Sequence, residues 1–166
     1  MNHGPCDLTL RETVLPTDVD AVARVAAATG FFTLEEVDIA VELVEENLAK
    51  GEERSGYQFV FLEDGGQVAG YACYGRIPGT CASFDLYWIV VDPGRQRQGL
   101  GRRLMTAAEE RIAALGGRQI FIETSSRPLY HPTHVFYDRC GYTLEHTFPD
   151  FYCAGDSKLV YVRRLG

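Results

Sequence analysis

The sequence predicts an α/β fold, a mixed and mostly antiparallel sheet of about seven strands with flanking helices around a central β-α-β unit. Three observations carry that expectation. Residues 86–91 are an unbroken apolar and aromatic run, with the β-branched content of a strand covered on both faces. Leu100, Leu104, Ala108, Ile112 and Leu115 follow at helical spacing, so a helix starts near Gly99, lays that stripe on the sheet and stops at Gly116-Gly117. Short strand-like runs separated by turn signals stand on either side of this unit.

In chain order, residues 1–7 read as a loose tail and residues 8–14 as an edge strand ended by Pro16. Thr17 or Asp18 caps a first helix with an apolar stripe of Val19, Val22, Ala23, Ala26 and Ala27, closed by Gly30. After Phe31-Phe32, Thr33 and Glu36 form a capping box for a second helix that buries Val37, Ala40, Val41, Val44 and Leu48 and ends at Gly51. Residues 57–62 and 68–74 are strands joined by Glu63-Asp64-Gly65-Gly66, a hairpin turn. A strand over 81–91 follows Pro78-Gly79. After the central helix, residues 119–124 form a parallel strand, 125–132 a loop, 134–139 a short helix, and 148–153 and 158–164 a terminal pair of strands. Neither repeat nor linker interrupts the 166 residues, which read as a single domain.

Composition narrows the function. With 46% hydrophobic and 23% charged residues the chain is ordinary globular material, not disordered. Its apolar runs are too short to span a bilayer, and the first sixteen residues lack the apolar core of a signal peptide. The cysteines, Cys6, Cys73, Cys81, Cys140 and Cys153, are odd in number and have no Cys-x-x-Cys spacing, which fits reduced thiols in a cytoplasmic protein. A formal charge of -7 repels nucleic acid.

Against that acidity, the turn into the central helix is basic. Arg95, Arg97, Arg102 and Arg103 fall between Pro93 and Ala108 with no acidic residue among them. A helix N-terminus presents unpaired N–H groups and a partial positive charge, and glycine lets a phosphate approach closely. A solvated basic turn has the same appearance. Two nucleotide loops are excluded: Leu100 and Gly101 stand where a P-loop needs Lys and Ser/Thr, and Leu104 replaces the third glycine of a dinucleotide fingerprint.

Gln96-Arg97-Gln98-Gly99-Leu100-Gly101 resembles the acyl-coenzyme A loop, Gln/Arg-x-x-Gly-x-Gly/Ala, of the GNAT superfamily of N-acetyltransferases. Phe136-Tyr137-Asp138-Arg139-Cys140-Gly141-Tyr142 is similar to that family's later Tyr-x-x-x-Gly-Phe/Tyr. The resemblance implies acetyl-CoA as co-substrate, held by Gln96, Arg97, Gln98, Gly99, Leu100, Gly101 and Arg102 and by the strand residues Ile89, Val90 and Val91, whose backbone N–H groups face the thioester. It implies a small-molecule or peptidyl amine as acceptor, with no metal, nucleic acid or membrane partner, and leaves a homodimer open. A catalytically silent acyl-CoA-binding sensor or recruitment module is the alternative.

Acetyl transfer needs an unprotonated amine, stabilisation of the oxyanion and a proton for the leaving thiolate. By resemblance Tyr137 is the acid and Asp85 the base, the latter shorter than the family's usual Glu; a core tyrosine and an exposed strand-end aspartate are the plain alternatives. Tyr130 stands where the family commonly has an Asn that holds the pantetheine arm, with Thr124, Ser125 or Ser126 as substitutes. His131 and His134, near Cys140, could suggest a metal, but Pro132 is expected to disrupt the helix that would align them. Glu35, Glu36, Asp85 and Asp150 are the charges expected toward the acceptor.

Overall fold

The computed structural model describes residues 8–95 and 99–166; the tail expected over residues 1–7 lies outside them. Among the described residues the chain forms seven strands, β1 (Leu8–Arg11), β2 (Gln58–Asp64), β3 (Gln67–Arg76), β4 (Ser83–Val91), β5 (Gln119–Ser125), β6 (Thr143–Cys153) and β7 (Asp156–Arg164). With them are four α-helices, α1 (Asp18–Ala28), α2 (Leu34–Ser55), α3 (Leu100–Ala114) and α4 (His131–Arg139). The strand order is β1-β2-β3-β4-β5-β7-β6. β4 and β5 run parallel, as the crossover through α3 requires, while β1–β2, β2–β3, β5–β7 and β6–β7 are antiparallel. The chain divides into two compact units, Met1–Gly75 with Trp88–Ala108 and Arg76–Tyr87 with Glu109–Gly166, so β4 and α3 each contribute to both.

The first unit packs α1 and α2 on the sheet through Val22, Val25, Ala40, Val44, Phe59, Phe61, Tyr71 and Cys73, with Phe32 and Trp88 against them edge to face at 4.8 Å. The capping box forms: Thr33 Oγ1 accepts from the Glu36 N–H, and the Glu36 carboxylate accepts from the Thr33 N–H. Gly51, at φ 79°, interrupts α2 where the sequence ends it, but one more turn runs on to Ser55. The buried stripes differ by single positions. Val25 is buried and Ala27 exposed in α1; Asn47 is buried and Leu48 exposed in α2, because the Asn47 amide donates to the Tyr57 carbonyl. Thr17 holds the N-cap position without a side-chain bond, while Asp18 is buried, accepts from the Leu15 N–H and pairs with Arg11. Gly65 and Gly66 both take positive φ, as a tight hairpin between β2 and β3 demands.

In the second unit the burial of β5 alternates by face as far as Thr124, while β7 buries Leu159 and Tyr161 on one face and Val162 on the other. Phe84, Ile120, Ile122, Leu159 and Tyr161 form the covered face. Register puts Asp85 beside Phe121, Glu123 two residues further along β5, Lys158 opposite Ser125 and Phe148 opposite Lys158, all on the other face. β6 starts five residues earlier than expected and is exposed throughout. Residues 143–147 cover nothing, so no period-2 alternation marks them as strand.

β4 is not covered on both faces. Burial alternates to Tyr87, 38% exposed; Trp88 and Ile89 are then half-buried and Val90 and Val91 buried. The apolar run marked the strand correctly but not its environment, since tyrosine and tryptophan tolerate a face partly in water.

Candidate active site

The basic turn keeps its helix. Pro93–Arg95 is a short 3-10 turn, and α3 begins at Leu100 behind Gly99, whose φ is +74° with open space where a Cβ would stand. The Arg103 N–H bonds the Gly99 carbonyl at 3.1 Å, so the helix is closed from its first turn and its leading N–H groups have no intrahelical acceptor. A helix N-terminus of this kind can receive a phosphate group. Leu100 is buried under it, Gly101 half-buried and Arg102 exposed; Gln96, Arg97 and Gln98 lie outside the described residues. The field is less positive than the sequence suggests. Arg95 pairs with Asp64, and Arg103 donates to the Leu8 carbonyl at 3.1 Å, partners brought from β2 and β1 that no local reading could supply.

Close packing fixes the strand that leads into this turn. A Cβ on Gly70 would fall 2.8 Å from the Val90 carbonyl oxygen and 3.0 Å from Leu104 Cδ1. The glycine therefore lets β3, β4 and α3 approach as they do, and Val90 and Val91 are held from beneath.

Asp85 is the last β4 residue in register with β5: Ser83, Phe84 and Asp85 face Gln119, Ile120 and Phe121, and the ladder ends there although β5 runs on to Ser125. Its carboxyl is raised from 3.8 to about 6, first by burial and then by the negative charge of Glu123. The sequence reading missed Glu123. A glutamate in a strand carries no signal of its own, and only register places it on the Asp85 face.

Tyr137 is buried in α4, its ring 5.5 Å from Tyr161, 5.9 Å from Phe136 and 6.2 Å from Tyr142. Burial, with Tyr130, Tyr161 and Cys140 nearby, pushes its phenol well above the ordinary range, so it stays protonated at neutral pH. Tyr161 belongs to the covered face of β7. Tyr137 and Asp85 therefore lie on opposite faces of the same sheet, at the level where β4 and β5 part.

Pro132 does not disrupt α4. It lies in the first turn, where a missing N–H costs nothing, and both His131 and His134 are on the helix. His134 Nε2 donates to the Ser125 carbonyl at 2.9 Å and its ring stacks on Tyr161. No group of three His, Cys, Asp or Glu placed to hold a metal occurs among the described residues.

Of the hydroxyls considered for the pantetheine arm, those of Ser125 and Ser126 take part in a local network. Ser125 Oγ donates to Asp156 at 2.6 Å and Ser126 Oγ accepts from the Ser157 N–H, while the Arg127 guanidinium lies over the Tyr130 ring. This network ties the end of β5 to the start of β7 and fixes the loop that delivers α4. Glu36 is spent in its capping box and Asp150, at φ 53°, accepts from the Gly155 N–H.

α3 opens behind a glycine at positive φ, and the second unit carries a protonated phenol and a raised carboxyl on opposite faces of its sheet. The chain belongs to the GNAT family: the acetyltransferase (GNAT) domain matches residues 55–144. A structure assigned to the GNAT acetyltransferases from Desulfovibrio desulfuricans is 46% identical, with a TM-score of 0.94 over 96% of this chain and 99% of that one. An aminoglycoside 6'-N-acetyltransferase complexed with coenzyme A is similar at 18% identity and TM-score 0.73, over 94% of this chain and 96% of that one. The ribosomal-protein-S18-alanine N-acetyltransferase from Escherichia coli is similar at 20% and 0.74, over 96% and 94%. The last two share the fold alone. No curated protein matches.

Proposed function

We propose that this protein is an N-acetyltransferase that moves an acetyl group from acetyl-CoA directly to an amine. The observation that carries the reading is the placing of a perturbed carboxyl, Asp85, and a protonated phenol, Tyr137, on opposite faces of the sheet where β4 and β5 separate. An amine approaching on the Asp85 face loses its proton to Asp85, with Glu123 beside it. The thiolate leaves on the other face and takes the proton of Tyr137. Backbone N–H groups of Ile89, Val90 and Val91 stabilise the negative oxygen, and the N-terminus of α3 with Arg102 holds the pyrophosphate.

The acceptor in this reading is an amine that is cationic in solution, drawn by the Asp85 and Glu123 pair. The compartment is a reducing cytoplasm, where exposed thiols such as Cys81 and Cys153 stay reduced. The deciding experiment follows thiol release from acetyl-CoA with amino acids, polyamines, aminoglycosides and peptide N-termini, alongside calorimetry of acetyl-CoA binding. Thiol release that depends on an amine and falls sharply in Asp85→Asn is the expected result. Tight binding with no release for any amine would overturn the enzyme and leave a silent acyl-CoA-binding module. In Gly101→Val a side chain fills phosphate space, so binding is lost while the melting curve stays cooperative; unchanged affinity would reject the loop.

A further inference from the structure

The sequence holds fourteen arginines and only two lysines, Lys50 and Lys158. The two side chains carry the same charge, but only lysine offers an amine that can accept an acyl group under these conditions. Lys50 is an ordinary surface cation on α2, more than half exposed and paired with Glu46 one turn earlier. Lys158 is placed differently. Its side chain is 15% exposed, and Nζ lies 3.3 Å from Glu123 Oε1. Two rings enclose it, Phe151 at 4.0 Å and Phe148 at 5.2 Å from their centroids. Register puts it on the same sheet face as Asp85, opposite Ser125 and so two residues beyond Glu123 along β5. The chain thus holds a primary amine of its own, the functional group of the acceptor, against a carboxylate on the acceptor face.

We propose that Lys158 is a self-acetylation site: in the absence of an external amine, its Nζ takes the acetyl group of acetyl-CoA bound to the same chain. This rests on the reading of the Asp85 face as the acceptor face. The bond from Nζ to the thioester carbonyl carbon forms and the carbon–sulfur bond breaks. The ammonium gives up two protons to solvent through Glu123 and Asp85, while Tyr137 protonates the leaving thiolate and is reprotonated from solvent, so the net products are Nε-acetyllysine, free coenzyme A and a proton. The acetylated side chain carries no charge. It surrenders the ion pair with Glu123 and the cation–π contacts with both rings, and frees Glu123 to meet a cationic acceptor.

The full chain, with its starting mass verified as unmodified, is incubated with acetyl-CoA and no added amine, and acetylation is followed by intact mass and peptide mapping. Lys50 reports uncatalysed chemistry in the same tube. The expected result is one acetyl group at Lys158, matched by one equivalent of thiol, arriving roughly 10²-fold faster than at Lys50, the scale of a positioned base. Asp85→Asn and Tyr137→Phe slow the labelling of Lys158 and not that of Lys50, and Lys158→Arg removes the fast phase. Labelling of Lys158 at the rate of Lys50, or none while added amines still release thiol, overturns the inference and leaves the acetyltransferase standing. Absence of both acetyl-CoA binding and thiol release with every amine overturns the two together.

Discussion

Tyr137 and Asp85 draw opposite uses from the same cause. Burial raises both groups: the phenol keeps its proton at neutral pH and the carboxyl is brought to about 6, values that suit the acid and the base of the reaction proposed above. Tyr137→Phe is expected to keep acetyl-CoA affinity and to lower kcat by roughly 10²- to 10⁴-fold, measured with any confirmed acceptor. If Asp85 is the base proposed above, kcat/KM is expected to rise with pH through a limb near 6. Asp85→Asn removes that limb, and Glu123→Gln moves it to lower pH by removing a like charge. Stability moves the other way. A carboxyl raised in the folded state binds its proton more tightly there than in the unfolded chain, so its contribution fades as pH climbs from about 4 through about 6. Asp85→Asn is therefore expected to raise Tm at pH 7 to 8 and to leave it unchanged near pH 3. With the carboxyl half in solvent the gain is about 1 kcal/mol, against ~3 kcal/mol for a dry site.

At the scale of elements, two contacts fix how strands and helices approach. Gly70 has no room for a side chain between the Val90 carbonyl and Leu104. Gly70→Ala is expected to cost ~1–3 kcal/mol in urea unfolding and to weaken acetyl-CoA binding, because the backbone that yields is Val90. Asp18, buried at the start of α1, joins that helix to β1 through Arg11 at 2.8 Å and to the Leu15 N–H at 2.7 Å. Asp18→Ala takes the bidentate partner from the Arg11 guanidinium, which keeps its contacts with Glu63, the neighbouring backbone and the face of Phe61. The expected loss is about 3 kcal/mol, read as a fall in the urea midpoint with an unchanged m-value.

For the whole molecule, charge is the property with a functional consequence. The proposed cationic acceptor would be drawn at long range by the formal charge of -7 and the exposed Glu123, a field that salt screens within about 8 Å at physiological strength. KM for a cationic amine is expected to rise about twofold to fivefold between low and high salt, while an uncharged analogue stays level. A preference for an anionic acceptor at low salt would refute the direction of steering.

The sequence by itself determined the order and type of the elements, the capping box, the hairpin glycines and the glycine-led entry to α3, because each follows from propensities and spacings within a few residues. Resemblance to a family put Tyr137 and Asp85 forward for the chemistry, which the variants above test. Tertiary structure alone decided the rest. Register between β4 and β5 set Glu123 beside Asp85 and raised its carboxyl, and packing of α4 on Tyr161 placed Tyr137 on the opposite face. Asp64 and the Leu8 carbonyl, distant in sequence, took up arginines that looked reserved for phosphate. Pairing across strands and the burial of charge depend on which residues meet in space, and a linear pattern holds that information only where the partners are local.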